Sequence, residues 1–126
     1  MPKSILSVPS APAPLGPYSP AVEANGLVYL SGQVGLDPDT GSSVGDDVVD
    51  QTHQVMGNIG AMLGDIGLGY DDIVKTTIFL TDIADFAKVN QAYAAYVEDS
   101  RPARSTVGVA ALPGGFRVEI EVVAAR

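Results

Sequence analysis

The chain has 126 residues, 46% of them hydrophobic and 17% charged, proportions that suit one compact domain with a single core spanning residues 1–126. It contains no cysteine, which excludes disulfides and thiol nucleophiles. Its formal charge of −8 opposes nucleic-acid binding, since that affinity comes from lysine and arginine displacing counterions; no run approaches the ~18 apolar residues of a membrane span, so a soluble, cytoplasmic protein without a membrane partner is expected.

Ser4 to Val8 suits a short edge strand. Prolines at 9, 12, 14, 17 and 20 then forbid helix and sheet interior and imply an extended loop. Within it, Gly16-Pro17-Tyr18-Ser19 holds a phenol on a stiff backbone; Tyr18 either packs the loop onto the core or faces a site. Asn25-Gly26 between two apolar runs is a two-residue hairpin turn, because type I′ geometry needs positive φ at both positions. The second strand continues into Ser31-Gly32-Gln33-Val34, where Gly32 reads as a β-bulge or a point of close backbone approach. Asp46 and Asp47 suit a helix N-terminus, and Val48, Thr52, Val55, Ile59, Met62 and Ile66 trace an apolar stripe that ends near Gly67. His53 lies off that stripe and is expected in solvent, with no second histidine or cysteine to build a metal site.

Ile73 to Leu80 is rich in β-branched residues and reads as a buried strand. Thr81-Asp82 caps the next helix, whose inner stripe is Phe86, Val89, Asn90, Tyr93 and Val97. Asn90 is its polar intruder, and either caps a backbone group or serves a site. Pro102-Ala103-Arg104-Ser105 opens a strand running from Thr106 to Leu112; Pro113-Gly114-Gly115 turns it, and Phe116 to Ala124 returns as its hairpin partner. Alternation puts Phe116, Val118, Ile120 and Val122 on one face and Arg117, Glu119, Glu121 and Val123 on the other. In that hairpin Glu119 faces Val109 and Arg104 faces Ala124, roughly 17 Å apart, so a site using both belongs between subunits. The order of elements predicts an α+β fold, a mixed β-sheet with two helices on one face. The uncovered face calls for a partner surface, which homo-oligomerisation supplies.

In this order and spacing, Gly16-Pro17-Tyr18-Ser19, Leu30-Ser31-Gly32-Gln33, Asp72-Ile73-Val74-Lys75-Thr76-Thr77, Val89-Asn90, Pro102-Ala103-Arg104-Ser105 and Val118-Glu119-Ile120-Glu121 resemble the RidA family, also called YjgF or L-PSP proteins, over nearly the whole chain. The resemblance implies a chorismate-mutase-like domain that forms homotrimers with three clefts between subunits. It implies hydrolytic deamination of reactive enamines and imines, such as 2-aminoacrylate, 2-iminopropanoate and 2-iminobutanoate, to 2-oxo acids and ammonia. Carried over by position, Arg104 grips the substrate carboxylate and Glu119 handles the proton of the attacking water. Tyr18, Ser31, Gly32 and Asn90 line the cleft, and Thr106 joins the substrate-binding set where many relatives have cysteine. Pro20 stands where relatives often have glutamine, which alters the cleft mouth. An imine carbon is already electrophilic, so orientation and one acid/base group suffice, and no metal or cofactor is implied. The alternatives are a non-catalytic or chaperone-like trimer that captures small carboxylates, served by Arg104 alone, and an endoribonuclease of the L-PSP kind, against which the net charge argues.

Overall fold

The structure, a computed structural model, describes residues 2–126. Its elements in chain order are β1 (Ser4–Ile5), β2 (Ala21–Ala24), β3 (Leu27–Val34), β4 (Leu36–Asp37), β5 (Ser42–Ser43), α1 (Val48–Asp65), β6 (Ile73–Leu80), α2 (Phe86–Val97), β7 (Ala103–Gly108) and β8 (Val118–Ala125). Six strands form one mixed sheet in the order β1-β2-β3-β8-β6-β7, and β4 pairs with β5 in a separate small hairpin.

Local chemistry sets the ends of these elements. Asn25 and Gly26 turn β2 into β3 with φ of 54° and 79°. Asp47 caps α1 by accepting from the backbone N–H groups of Val49 and Asp50, and Gly67 ends the helix at a φ of 79°. The proline loop is tied down where Ser10 donates through its backbone N–H and its hydroxyl to the Asp65 carboxylate, at 2.8 and 2.9 Å.

Period-2 alternation along β8 separates the layers. Val118, Ile120, Val122 and Ala124 are buried in a core that they share with Val55, Ile59, Met62 and Leu63 of α1. Helix α2 lies on the same side, where the Tyr93 and Thr76 hydroxyls hydrogen-bond at 2.8 Å. No helix among the described residues is long and apolar enough to cross a membrane.

The structure corrects the expected hairpin near the C-terminus. β7 ends at Gly108 and pairs parallel to β6, while β8 lies antiparallel to both β6 and β3. The physical reason is the β6-α2-β7 connection: a helix between two strands is the crossover that parallel pairing needs, and it leaves β7 at the sheet edge. Residues 109 to 117 then carry the chain past β6 to the vacant place beside β3. The α2 stripe is also narrower than its spacing suggests. Val89, Tyr93 and Val97 are buried, but Phe86 and Asn90 are exposed, because this end of α2 overhangs the edge strand.

Ile120 is fully buried at the centre of the sheet. Ile120→Ala removes methyl groups that neighbours on both layers cannot replace, and is expected to lower unfolding stability by about 2–5 kcal/mol in chemical denaturation. A loss under about 1 kcal/mol would contradict this placement of the core.

Candidate active site

Arg104 and Glu119 lie on opposite faces of the sheet. Thr76 is opposite Arg104 on one side and Val122 on the other, whereas Phe79 is opposite Val107 and Glu119. The two residues are thus separated by two strand spacings of ~4.8 Å and three residues of ~3.3 Å along the strands, roughly 14 Å in all. Residues paired across strands share a face, so Arg104 points with Thr76 towards α2 and Glu119 points with Phe79 away from the helices. The chain therefore presents the two residues at two separate places.

The Glu119 place is a cleft of about 490 Å³ on the open face, with Tyr18, Ser31, Gly32, Pro113, Phe116 and Glu119 in its walls. Tyr18 is 53% exposed, so it faces this cleft instead of anchoring the loop in the core. Ser31 donates to the Ser19 carbonyl at 2.7 Å, fastening the proline loop across the end of β3. The pairing of β3 with β8 slips between Leu30 and Gln33. Ser31 and Gly32 form the resulting bulge, and Gly32 also meets the close approach that its sequence context suggested. A Cβ built there would lie 2.8 Å from Glu119 Cδ. Burial, reinforced by the neighbouring Glu121 carboxylate, pushes the Glu119 carboxyl above the usual carboxylate range.

The Arg104 place lies at the sheet edge beneath α2. Arg104 donates to Asn90 Oδ1, and its guanidinium carbon lies 5.5 Å from the Phe86 ring centre and 5.4 Å from that of Tyr93. The hollow beside it, about 410 Å³, runs along α2 past Val97 and Glu98 to Arg101 and Pro102. Asn90 thus serves a side chain and not a backbone cap. Phe86, Asn90 and Tyr93 stand at i, i+4 and i+7 on one helix stripe, a pattern that by itself reads as core packing. The polar residue between two aromatics was the available signal of something else.

Thr106 shares the Arg104 face of β7, yet its hydroxyl is buried and has no hydrogen-bond partner, so it opens into neither place in this conformation. His53 is exposed and its Nδ1 hydrogen-bonds the Tyr96 hydroxyl at 2.7 Å. Among the described residues no cluster of three or more His, Cys, Asp or Glu side chains could hold a metal ion.

Two substitutions test this geometry. Gly32→Ala displaces the Glu119 carboxylate, a flexible group, so it is expected to cost on the order of 10²-fold in kcat while barely changing thermal stability. Unchanged turnover would show that the contact has no bearing on Glu119. Thr106→Val keeps the shape and removes the unsatisfied hydroxyl, so unfolding stability is expected to rise by about 1–3 kcal/mol. A fall in the denaturation midpoint would mean that the hydroxyl has a partner.

Similarity to known proteins bears on this arrangement. A family described as Endoribonuclease L-PSP matches residues 8–126. Reactive Intermediate Deaminase A, chloroplastic, from Arabidopsis thaliana is 52% identical over 122 residues, 97% of this chain and 65% of that protein. The mouse 2-iminobutanoate/2-iminopropanoate deaminase is 46% identical over 122 residues, 97% of this chain and 90% of that protein. The crystal structure of a conserved Rid-family protein from Yersinia pestis superposes with a TM-score of 0.95 at 49% identity, covering 99% of this chain and 100% of that one. With the family matched along almost the whole chain and its fold reproduced, the chain belongs to the RidA/YjgF/L-PSP family.

Proposed function

We propose that this protein hydrolyses small 2-imino and 2-enamino acids, such as 2-iminopropanoate, its tautomer 2-aminoacrylate, and 2-iminobutanoate, to 2-oxo acids and ammonia. The observation that carries this reading is the pairing in one chain of two complementary half-sites: an arginine without a carboxylate partner, and a carboxyl group desolvated in an apolar-walled cleft. The names of the Arabidopsis and mouse relatives support the same reaction class.

Arg104 offers a planar fork to the substrate carboxylate, a bidentate match that fixes the orientation of C2. Glu119 then takes a proton from water as the water oxygen bonds to C2, and passes it to the imine nitrogen to give a carbinolamine. The carbinolamine collapses as the C–N bond breaks: its hydroxyl proton passes through Glu119 to the nitrogen, which leaves as ammonia, and C2 becomes a carbonyl. The raised pKa suits this work, because a base is most effective when its pKa lies near the operating pH. Tyr18 and Ser31 close the cleft around the reacting carbon.

In this reading the half-sites meet across a subunit boundary, with Arg104 of one copy reaching the Glu119 cleft of the next in a homotrimer of the chorismate-mutase-like type. Their placement on opposite faces of the sheet supports it, since one protomer cannot bring them to a single small ligand. The uncovered sheet face around Glu119 and Glu121 supplies the surface for such an assembly.

The test is ammonia release from enzymatically generated 2-iminobutanoate and 2-iminopropanoate. Arg104→Ala and Glu119→Gln are each expected to abolish acceleration, and wild-type kcat/KM is expected to fall as pH drops through the raised Glu119 pKa, where the base becomes protonated. Co-expressing the two inactive variants should restore about a quarter of the sites, because a random mixture in a closed ring places one intact half of each kind at that fraction of boundaries. No recovery in the mixture would sink the shared site. Wild-type protein that binds 2-oxo acids but releases no ammonia would leave a carboxylate-binding module.

A further inference from the structure

We propose that Phe86 and Tyr93 are positioning residues: they hold the Arg104 guanidinium between two aromatic rings so that its charge stays free for a ligand carboxylate. This rests on the reading of Arg104 as the carboxylate grip and extends it to what keeps that grip both ordered and unneutralised.

The chain has 15 acidic and seven basic residues, so an arginine easily finds a carboxylate. Arg126 does so, with its Nε 3.1 Å from Glu23 Oε1. Arg104 does not: among the described residues no carboxylate lies within 4.0 Å of it. All its side-chain partners are neutral, namely Asn90 and the faces of Phe86 and Tyr93, with centroid distances of 5.5 and 5.4 Å. Both distances fall within the range in which a ring quadrupole attracts a cation. A carboxylate holding Arg104 would compete with the substrate, whereas a ring face orders the plane of the guanidinium and leaves its N–H edge for an anion.

The two rings are anchored differently. Tyr93 is buried and its hydroxyl pairs with Thr76 at 2.8 Å, on the β6 residue opposite Arg104. That bond sets the tyrosine ring at a fixed height above the edge strand. Burial pushes the phenol above its ordinary pKa, against opposing pulls from the Thr76 hydrogen bond and Arg104, so it stays neutral beside the cation. Phe86 is 40% exposed, a solvent contact that core packing alone does not explain for the first residue of a helix.

The experiment measures binding of 2-oxobutanoate and of its uncharged amide by calorimetry, with KM and kcat on 2-iminobutanoate alongside. Phe86→Leu is expected to weaken 2-oxobutanoate by about 3–30-fold and to raise KM by a similar factor at unchanged kcat, with amide binding unaltered. Phe86→Tyr keeps a ring and should retain wild-type affinity. Tyr93→Phe keeps its ring but loses the bond that fixes its height and orphans Thr76, so it should lower the unfolding midpoint and also weaken 2-oxobutanoate, with amide binding unaltered. Should Phe86→Leu fail to fold, Phe86→Met takes its place with the same expectation.

If Arg104→Ala abolishes 2-oxobutanoate binding while the Phe86 variant stays within twofold of wild type, the clamp is overturned and the grip stands. Equal weakening of acid and amide also overturns the clamp, since it marks general damage. Wild-type affinity unaffected by Arg104→Ala overturns the grip itself, and the clamp with it.

Discussion

β8 runs through the middle of the sheet, hydrogen-bonded to β3 on one side and β6 on the other, and this double pairing constrains the rest of the molecule. A central strand covered by α1 must be apolar on that face, so Val118, Ile120, Val122 and Ala124 form the floor of the core. Its other face is relieved of that demand and carries Glu119 and Glu121. Because the strand is held on both edges, the backbone that carries Glu119 is fixed in the cleft wall. Its pKa is raised by burial there, reinforced by the neighbouring Glu121 carboxylate. Gly32 completes the arrangement by removing the one side chain that would displace the carboxylate.

The electrostatics around Glu119 and around Arg104 are set by opposite means. On the open face, an acid is made reluctant to ionise by lost water and a nearby negative charge. At the sheet edge, a cation is held by neutral partners alone. An acidic protein gains nothing in stability from leaving Arg104 without a carboxylate, and the proposed carboxylate grip supplies a reason for the arrangement. Two buried oxygens without partners, Thr106 Oγ1 and Asp85 Oδ2, stand close by in sequence, the first two residues beyond Arg104 and the second immediately before Phe86. Each is a local cost that a fold selected for stability alone would have removed.

Apart from the short β4 and β5 and the ends of β7 and β8, the strands and helices were legible in the residues themselves. The stripe from Val48 to Ile66 marked α1, β-branched residues marked β6, Asn25-Gly26 marked the first hairpin, and alternation along β8 assigned each side chain to its face. Asp47 as cap and Gly67 as terminator followed from backbone chemistry that acts within a single turn. The motifs that carry Tyr18, Gly32, Arg104 and Glu119 were likewise visible, and at Gly32 the close approach of Glu119 supplies the steric reason for the residue type.

Which strands lie beside one another was decided only by the folded chain. A hairpin reading of Thr106 to Ala124 satisfied every local signal, because period-2 alternation says which face a residue takes and nothing about its neighbours. The crossover through α2 overrode it. Parallel pairing with β6 put β7 at the edge and set Arg104 beside Thr76, beneath the end of α2. The aromatic seat of Arg104 was hidden for the same reason: Phe86 and Tyr93 carry the spacing of core residues, and only the end of the sheet beneath α2 leaves them facing a cation. Residue types and local spacing thus determined the chemistry available to this protein, while long-range strand order, set by loop closure and burial of the whole sheet, determined where that chemistry stands.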